Sequence, residues 1–421
     1  MRKHILRILI IGIMLFSCAC STQNEENGDV LKVWMLNDNE QVREMLNTYQ
    51  IVNSDVEIKI EIGVPDYDTT VSDALKKLNT RLMGGDGPDV MILDDVNVDA
   101  YVESGVLMEL NGLNFEQMPV GVRENIYHNG EVYYVPTYLV LPVNLHSSNS
   151  DLDFTTLQQF NSDIQSKQLR VNYFEHLSAL WYKTTIEPEL ISNEGIEMEQ
   201  MQRFFIDLKA LLEFVYGDAE ESAFASYQQV NMQVNPLSIF LNIHLGALDC
   251  GKEYICSMTD LQTLCAMLER KEIDAEVCMA NNSYMYIPMG NIAINANSKK
   301  QKEAKKLVEY LISEEGQLEF AGYGAANIIP VNKVALEKAM ELSDEIRITY
   351  GNLGEYKTYP FSETGEKQVL SWIENLKYES ATDGKLMEIV MLGAQSYLNG
   401  ESTLENAVAN TCQKMELYFN E

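Results

Sequence analysis

Along the first hundred residues the apolar positions switch between two periods. Residues 31–36 (LKVWML) form a short, mostly apolar run, which predicts a strand. From Asn39 to Asn53, Val42, Met45, Leu46, Tyr49 and then Ile51 or Val52 recur at helical spacing. Val56, Ile58, Ile60 and Ile62 alternate with Glu57, Lys59 and Glu61, the pattern of a strand with one wet face. Thr69 to Met83 is helical again, with Val71, Ala74, Leu75, Leu78 and Leu82 on one side. A glycine-rich turn, Gly84-Gly85-Asp86-Gly87-Pro88-Asp89, then delivers the chain into Val90 to Leu93, an unbroken apolar run expected of a strand covered on both faces. The series reads βαβαβ, and right-handed crossovers make it a parallel sheet between helices.

Further on, Val98 to Ser104 predicts a short helix, and Asn129-Gly130 between two short apolar runs predicts a hairpin. The extended run Leu139 to Asn144 is where the chain leaves the first lobe. From about 150 to 285 the pattern is mainly helical and less regular, with helices expected over 155–167, 197–216, 236–245 and 259–271. Regularity returns at Tyr286 to Ser298, and Ser298 is expected to open a helix striped by Ala304, Leu307, Val308, Leu311 and Ile312. Two helices, about 383–398 and 403–419, close the chain, the second with a capping box at Ser402-Thr403-Leu404-Glu405. A βαβ unit near the start and a strand-helix pair near residue 290 predict one lobe built from two separated segments, with several crossings hinging two lobes around a cleft.

Length and charge narrow the function classes. A chain of 421 residues is too long for one ordinary core. Arg2, Lys3 and Arg7 precede a nine-residue apolar run, Ile8 to Phe16, too short to span a bilayer and typical of a secretory signal. Ser21 to Asp29 is polar and reads as a flexible tether. Loss of residues 1–17 removes three basic residues and leaves 28 against 63 acidic ones, a charge of −35. Such a surface repels phosphate backbones and excludes nucleic acid as a partner. Cys250, Cys256, Cys265, Cys278 and Cys412 contain no CxxC and no histidine at zinc-ligand spacing, so no metal site is expected. A Cys250 to Cys256 loop is one open pairing, and Cys412 reads as a small buried hydrophobe.

Six short motifs, in order over residues 30–419, resemble the extracytoplasmic solute-binding lipoproteins of ABC importers (family 1, the maltodextrin-binding-protein-like carbohydrate group). They are Leu82 to Val90, Gly130 to Pro136, Ile294 to Ser298 continuing through Ala304 to Gln317, Ile329 to Lys333, Tyr397 to Glu401, and Leu404 to Val408. Leu15 and Ser17 before Cys18 are similar to the bacterial lipobox, with Cys20 as a competing site. Residues 150–285 depart furthest from the family, with His244 to Asp249 the nearest match to its second-lobe glycine loop. The resemblance implies an α/β, two-lobed periplasmic-binding-protein-like fold of type II. It implies a signal peptide at 1–17, a lipidated Cys18 and tether at 18–30, an N-lobe of 31–141 plus 290–332 and a C-lobe of 142–289 plus 333–421. It also implies a monomer without cofactor, held by lipid at the extracellular face of the membrane, that closes on an oligosaccharide and docks on ABC permease subunits. A peptide or polyol ligand, a surface glycan-processing enzyme and a structural lipoprotein are the alternatives.

In open α/β sheets ligands meet the carboxyl ends of the strands, which places Asp94 and Asp95 at the crevice. Neighbours at a strand end point to opposite sides, so one of the two is expected to face the cleft. Trp34, flanked by Asn37 and Asp38, either faces the same crevice or packs under the next helix. Asp66 and Tyr67 follow the second strand, as ligand contacts or as a solvated loop. Tyr138 stacks on ligand or packs the hinge, and Trp181-Tyr182 forms a platform or a core. Met289 and Asn291 are candidates by their place at the second crossing. G-x-S-x-G, HExxH and GxxxxGK[ST] are missing from the sequence, which leaves hydrolase, zinc-protease and nucleotide readings without a motif.

Overall fold

The structure, a computed structural model, describes residues 29–65, 69–147, 157–167, 178, 181–183, 187–192, 195–217, 254–258, 261–269, 273–280, 282–321, 328–342, 347–349, 355–357, 360–380 and 383–419. The signal segment, Cys18, Cys20, Asp66, Tyr67, Cys250, the helix expected over 236–245 and the loop His244 to Asp249 lie outside these residues.

The opening βαβαβ series forms as β1 (Asp29–Met35), α1 (Glu40–Val52), β2 (Val56–Ile62), α2 (Val71–Met83) and β3 (Val90–Ile92). Asn39 caps α1 by accepting from the Val42 amide, and Thr70 caps α2 by accepting from the Asp73 amide. Val42, Met45, Leu46 and Tyr49 are buried on α1, but Ile51 and Val52, one of which was expected to continue the stripe, are both exposed in its last turn. The next elements are α3 (Val98–Glu103), α4 (Val120–Asn125), β4 (Tyr134–Val135) and the long β5 (Tyr138–Ser147). Asn129 and Gly130 take φ of +54° and +91° between the paired Tyr127–His128 and Glu131–Val132, the left-handed conformations that an Asn-Gly hairpin needs.

The later elements are α5 (Leu157–Lys167), α6 (Glu187–Leu190), α7 (Met198–Gly217), β6 (Tyr254–Met258), α8 (Leu261–Leu268), β7 (Ile273–Val277), β8 (Met279–Ala280), β9 (Ser283–Met289) and β10 (Ile292–Ile294). They are followed by α9 (Gln301–Ile312), α10 (Glu314–Phe320), β11 (Ile329–Pro330), α11 (Lys333–Glu341), α12 (Glu363–Glu374), β12 (Leu376–Glu379), α13 (Gly384–Leu398) and α14 (Leu404–Phe419). Two expected helix starts move. Ser298 lies in a turn, where its hydroxyl donates to Asp89 at 2.6 Å and accepts from the Lys300 amide, and α9 begins three residues later. The cap of α14 is Thr403, which accepts from the Asn406 amide, rather than Ser402 paired with Glu405.

Two sheets organise the molecule. The first has the order β2-β1-β3-β10-β4, with β1, β2 and β3 parallel and β10 antiparallel to β3. The second is built on β5: its first half pairs with β9 and β11, and its second half pairs with β6 and β7. β9 carries this sheet on to β8 and β12. The chain passes between the sheets along two adjacent segments, where the Thr137 amide donates to the Met289 carbonyl at 3.0 Å.

Several sequence motifs prove to be one another's partners. The Asn295 amide side chain donates to the Pro88 carbonyl at 2.8 Å, and Asp89 accepts from the Lys32 amide at 2.9 Å as well as from Ser298. The turn before β3 and the Ile294-Asn295-Ala296-Asn297-Ser298 segment therefore lock the two middle strands of the first sheet. Gln317, fully buried on α10, donates to the Thr137 carbonyl at 2.8 Å and accepts from the Val331 amide at 2.8 Å, tying a third passage to the first. Cys265, Cys278 and Cys412 are buried, and Cys278 and Cys412 are free thiols.

Candidate functional site

The site is built from the two residues that follow β3. Asp94 turns toward the passages between the sheets. Its carboxylate accepts from the backbone amides of Gly290 (2.9 Å) and Asn291 (3.0 Å), from the Asn291 side chain (3.0 Å) and, at 3.4 Å, from Asn39. Burial raises its pKa against the pull of these four bonds. Asp94 is thus a clamp on the second passage. Gly290 bends there at φ +61°, and a β-carbon on it would lie 2.0 Å from the Thr137 hydroxyl. Tyr138 completes the clamp: its hydroxyl accepts from Asn39 at 3.0 Å, and burial raises it far above the usual phenol range.

Asp95 turns the other way. It adopts φ +63°, a left-handed conformation rare outside glycine, asparagine and aspartate. Its carboxylate accepts from the Asn37 side chain at 3.1 Å and is 6% exposed. Burial first, and then the negative charge of Asp94, push its pKa up to about 7, while Asn37 and the Lys183 ammonium pull it down. The charge of Asp383 also reaches it and pushes it up. Lys183 and Asp383 lie far from Asp95 along the chain. Lys183 is buried and pairs with Glu187 at 2.8 Å. Asp383 caps α13 through the Leu386 amide and accepts from the Tyr418 hydroxyl at 3.0 Å. Glu187 also accepts from Ser380 at 2.9 Å, just beyond β12. Tyr182 is fully buried, and the charges of Glu187 and Asp383 add to burial in raising its pKa.

A second buried polar contact lies within the second sheet, where α4 packs on it. The Tyr286 hydroxyl donates to Glu379 at 2.8 Å and accepts from Asn125 at 2.9 Å. Burial and then the charge of Asp99 push Glu379 up to about 7, against the Tyr286 bond. α4 seats against β12 so closely that a β-carbon on Gly121 would lie 1.9 Å from the Leu376 carbonyl oxygen.

The remaining sequence candidates fall in three places. Trp34 takes the packed alternative: it is 2% exposed in a cluster with Ala74, Leu78 and Leu82 under α2. Trp181 is fully buried with its ring 5.7 Å from that of Phe160, again the core alternative. Met289 and Asn291 are buried at the second passage, where the Asn291 side chain serves Asp94 and the Pro288 carbonyl. Asn37 joins Asp95, while Asp38 points to solvent and pairs with Arg43. Sequence reasoning missed Asn39, Lys183, Glu187, Gln317, Glu379 and Asp383. Asn39 and Asp383, each ahead of a helical stripe, carried a local signal, that of a cap. Among the described residues no group of three or more His, Cys, Asp or Glu is placed to hold a metal ion, and no helix is long and apolar enough to cross a membrane.

The fold recurs in solved proteins. A family 1 extracellular solute-binding protein from Bifidobacterium longum subsp. infantis aligns over 93% of this chain and 99% of its own, with a TM-score of 0.54 at 15% identity. The chain has the two-domain fold of the solute-binding proteins. The same fold relates it to CpMnBP1 with mannotriose bound (TM-score 0.57, 13% identity, 91% of this chain and 99% of that one). It also relates it to the ABC substrate-binding protein Lmo0181 from Listeria monocytogenes in complex with cycloalternan (TM-score 0.54, 14% identity, 94% and 100%). A de novo designed cysteine esterase shares the fold as well, so the solute-binding fold alone does not separate binding from catalysis. Searches against family models and curated proteins gave no match.

Proposed function

We propose that this chain is the extracellular solute receptor of an ABC importer, and that it captures an oligosaccharide by closing two hinged lobes. The observation that carries the reading is the position of Asp95. It is buried beyond the carboxyl end of a first-sheet strand, within electrostatic reach of Lys183 and Asp383 from distant parts of the chain. A solute that bridges these groups binds the closed state better than the open one and shifts the population toward closure, with no chemistry required. Mannotriose and cycloalternan, bound by proteins of the same fold, favour a saccharide over a peptide or polyol.

In this reading the lobes divide as 31–141 plus 290–332 and 142–289 plus 333–421, with Gly290 and Thr137 at the crossings. Residues 1–17 are the signal peptide, Cys18 carries lipid, and the acidic surface keeps the receptor monomeric and away from anionic membranes except through that anchor. Closure predicts a fall in radius of gyration by small-angle X-ray scattering when a panel of neutral and amino oligosaccharides is added, and Asp95→Ala blunts it. An unchanged radius throughout the panel contradicts hinge capture. A carboxyl raised to about 7 beside a second one is also what a glycosidase acid needs, so cleavage of any glycan in the panel would replace the receptor with a glycan-processing enzyme.

A further inference from the structure

Besides the passages, one short segment is bonded to both sheets. Its second-sheet end is Asn125 on α4, whose side-chain amide donates to the Tyr286 hydroxyl at 2.9 Å and to the Lys377 carbonyl at 3.2 Å. Tyr286 of β9 and Glu379 of β12 are register partners, and the Tyr286 hydroxyl donates in turn to Glu379 at 2.8 Å. Its first-sheet end is His128, in the short strand that follows α4. The imidazole Nε2 lies 3.1 Å from the hydroxyl of Tyr134, a β4 residue paired with Ala293 of β10, and Nδ1 lies 3.4 Å from Asp99 on α3. Val122 and Ile126 are buried in the same segment, and Gly121 approaches the Leu376 carbonyl too closely for a β-carbon to fit. Apolar packing alone lets a helix slide, whereas hydrogen bonds of fixed direction at each end set its position.

We propose that residues 120–128 form a strap that holds the two sheets in the observed arrangement, and that Asn125 positions the lobes for capture through this strap rather than by contact with the solute. This rests on the solute-receptor reading above. A rotation about the passages moves the second sheet relative to the first, so a segment bonded to both must yield or resist. The strap therefore adds to the free-energy difference between the observed arrangement and any other. Affinity for a solute scales with the fraction of chains already in the binding-competent arrangement, so a change in that fraction is read as a change in affinity. Loss of the Asn125 donors leaves the fold in place. The Tyr286 hydroxyl keeps Glu379 as its acceptor, and Lys377 is exposed, so water replaces the amide at its carbonyl.

Two variants loosen the strap in different ways. Asn125→Asp keeps the shape of the side chain and removes both donors, while Gly121→Ala pushes α4 off β12 and leaves every polar side chain in place. Small-angle X-ray scattering of the full chain without sugar, below the melting transition of each variant, is expected to give a radius of gyration different from wild type in both. Calorimetry follows with mannotriose, or with whichever member of the oligosaccharide panel the wild type binds most tightly. The variants are expected to change its Kd by at least about threefold, tighter where the sugar-free radius falls and weaker where it rises. Sugar-free radii equal to wild type in both folded variants overturn the strap. A changed radius with an unchanged Kd, or with a Kd that moves in the opposite sense, overturns the positioning role of Asn125 while leaving the receptor reading intact. A wild type that binds no member of the panel overturns the receptor reading and the positioning role with it, and the sugar-free radii then judge the strap alone.

Discussion

Replacing Asp94 by alanine removes the acceptor for the Gly290 and Asn291 amides and for two side chains, all in a buried site. Unsatisfied buried donors cost about 1–3 kcal/mol each, so Asp94→Ala is expected to destabilise the fold by roughly 2–4 kcal/mol in a denaturant melt. Asp95→Asn replaces a buried carboxyl that accepts from the Asn37 side chain, and is expected to melt no lower than wild type near neutral pH. The pH dependence has a definite sign. The folded chain holds a proton on Asp95 and on Glu379 up to about pH 7, well above an ordinary carboxylate. Between about pH 4 and pH 7 the native state binds more protons than the unfolded one, so stability falls as pH rises through that window and is lowest above it. Melting temperature is therefore expected to be higher at pH 5.5 than at pH 8, with a smaller difference in Asp95→Asn. An equal or opposite difference contradicts the placement of these two carboxyls. Trp34→Ala belongs to packing: burial under α2 predicts a loss of about 3–5 kcal/mol, with oligosaccharide affinity changed only through stability.

At the scale of elements, the passages between the sheets are where a single methyl group matters. Gly290→Ala meets both a left-handed φ and a 2.0 Å approach to Thr137, and is expected to cost about 1–3 kcal/mol or more; Gly121→Ala lifts α4 off β12 by collision with the Leu376 carbonyl. Thermal melts of the two variants check this, and wild-type stability in either would mean that the packing is looser there. The elements themselves were legible where a period repeats. The first five, the Asn129-Gly130 hairpin and the helices near 157, 198, 261, 384 and 404 follow from apolar spacing, caps and turn residues. What periodicity did not show was pairing across hundreds of residues. Nothing local in Pro88-Asp89 announces Asn295 and Ser298 as partners, and nothing local in Gln317 announces Thr137. Of the candidate site, the position of Asp94 and Asp95 beyond β3 was legible, but their opposite turns, Asp94 onto the Gly290 and Asn291 amides and Asp95 onto Asn37 with a left-handed backbone, depend on partners that no local pattern announces. The two tryptophans drew attention because aromatic faces suit sugars, yet large side chains also fill cores, and here they do.

At the scale of the molecule, the two sheets are joined by passages that Asp94, Asn39, Tyr138 and Gln317 hold in register. Clamps at the crossings supply the fixed pivot that the proposed hinge closure needs. The most direct test of this account is a calorimetric titration of the full chain with the oligosaccharide panel, followed by mass analysis of the recovered sugars. The account predicts saturable binding near micromolar, about −8 kcal/mol, weakened by Asp95→Ala, with every sugar returned intact. A cleaved sugar, or no heat from any member of the panel, contradicts it.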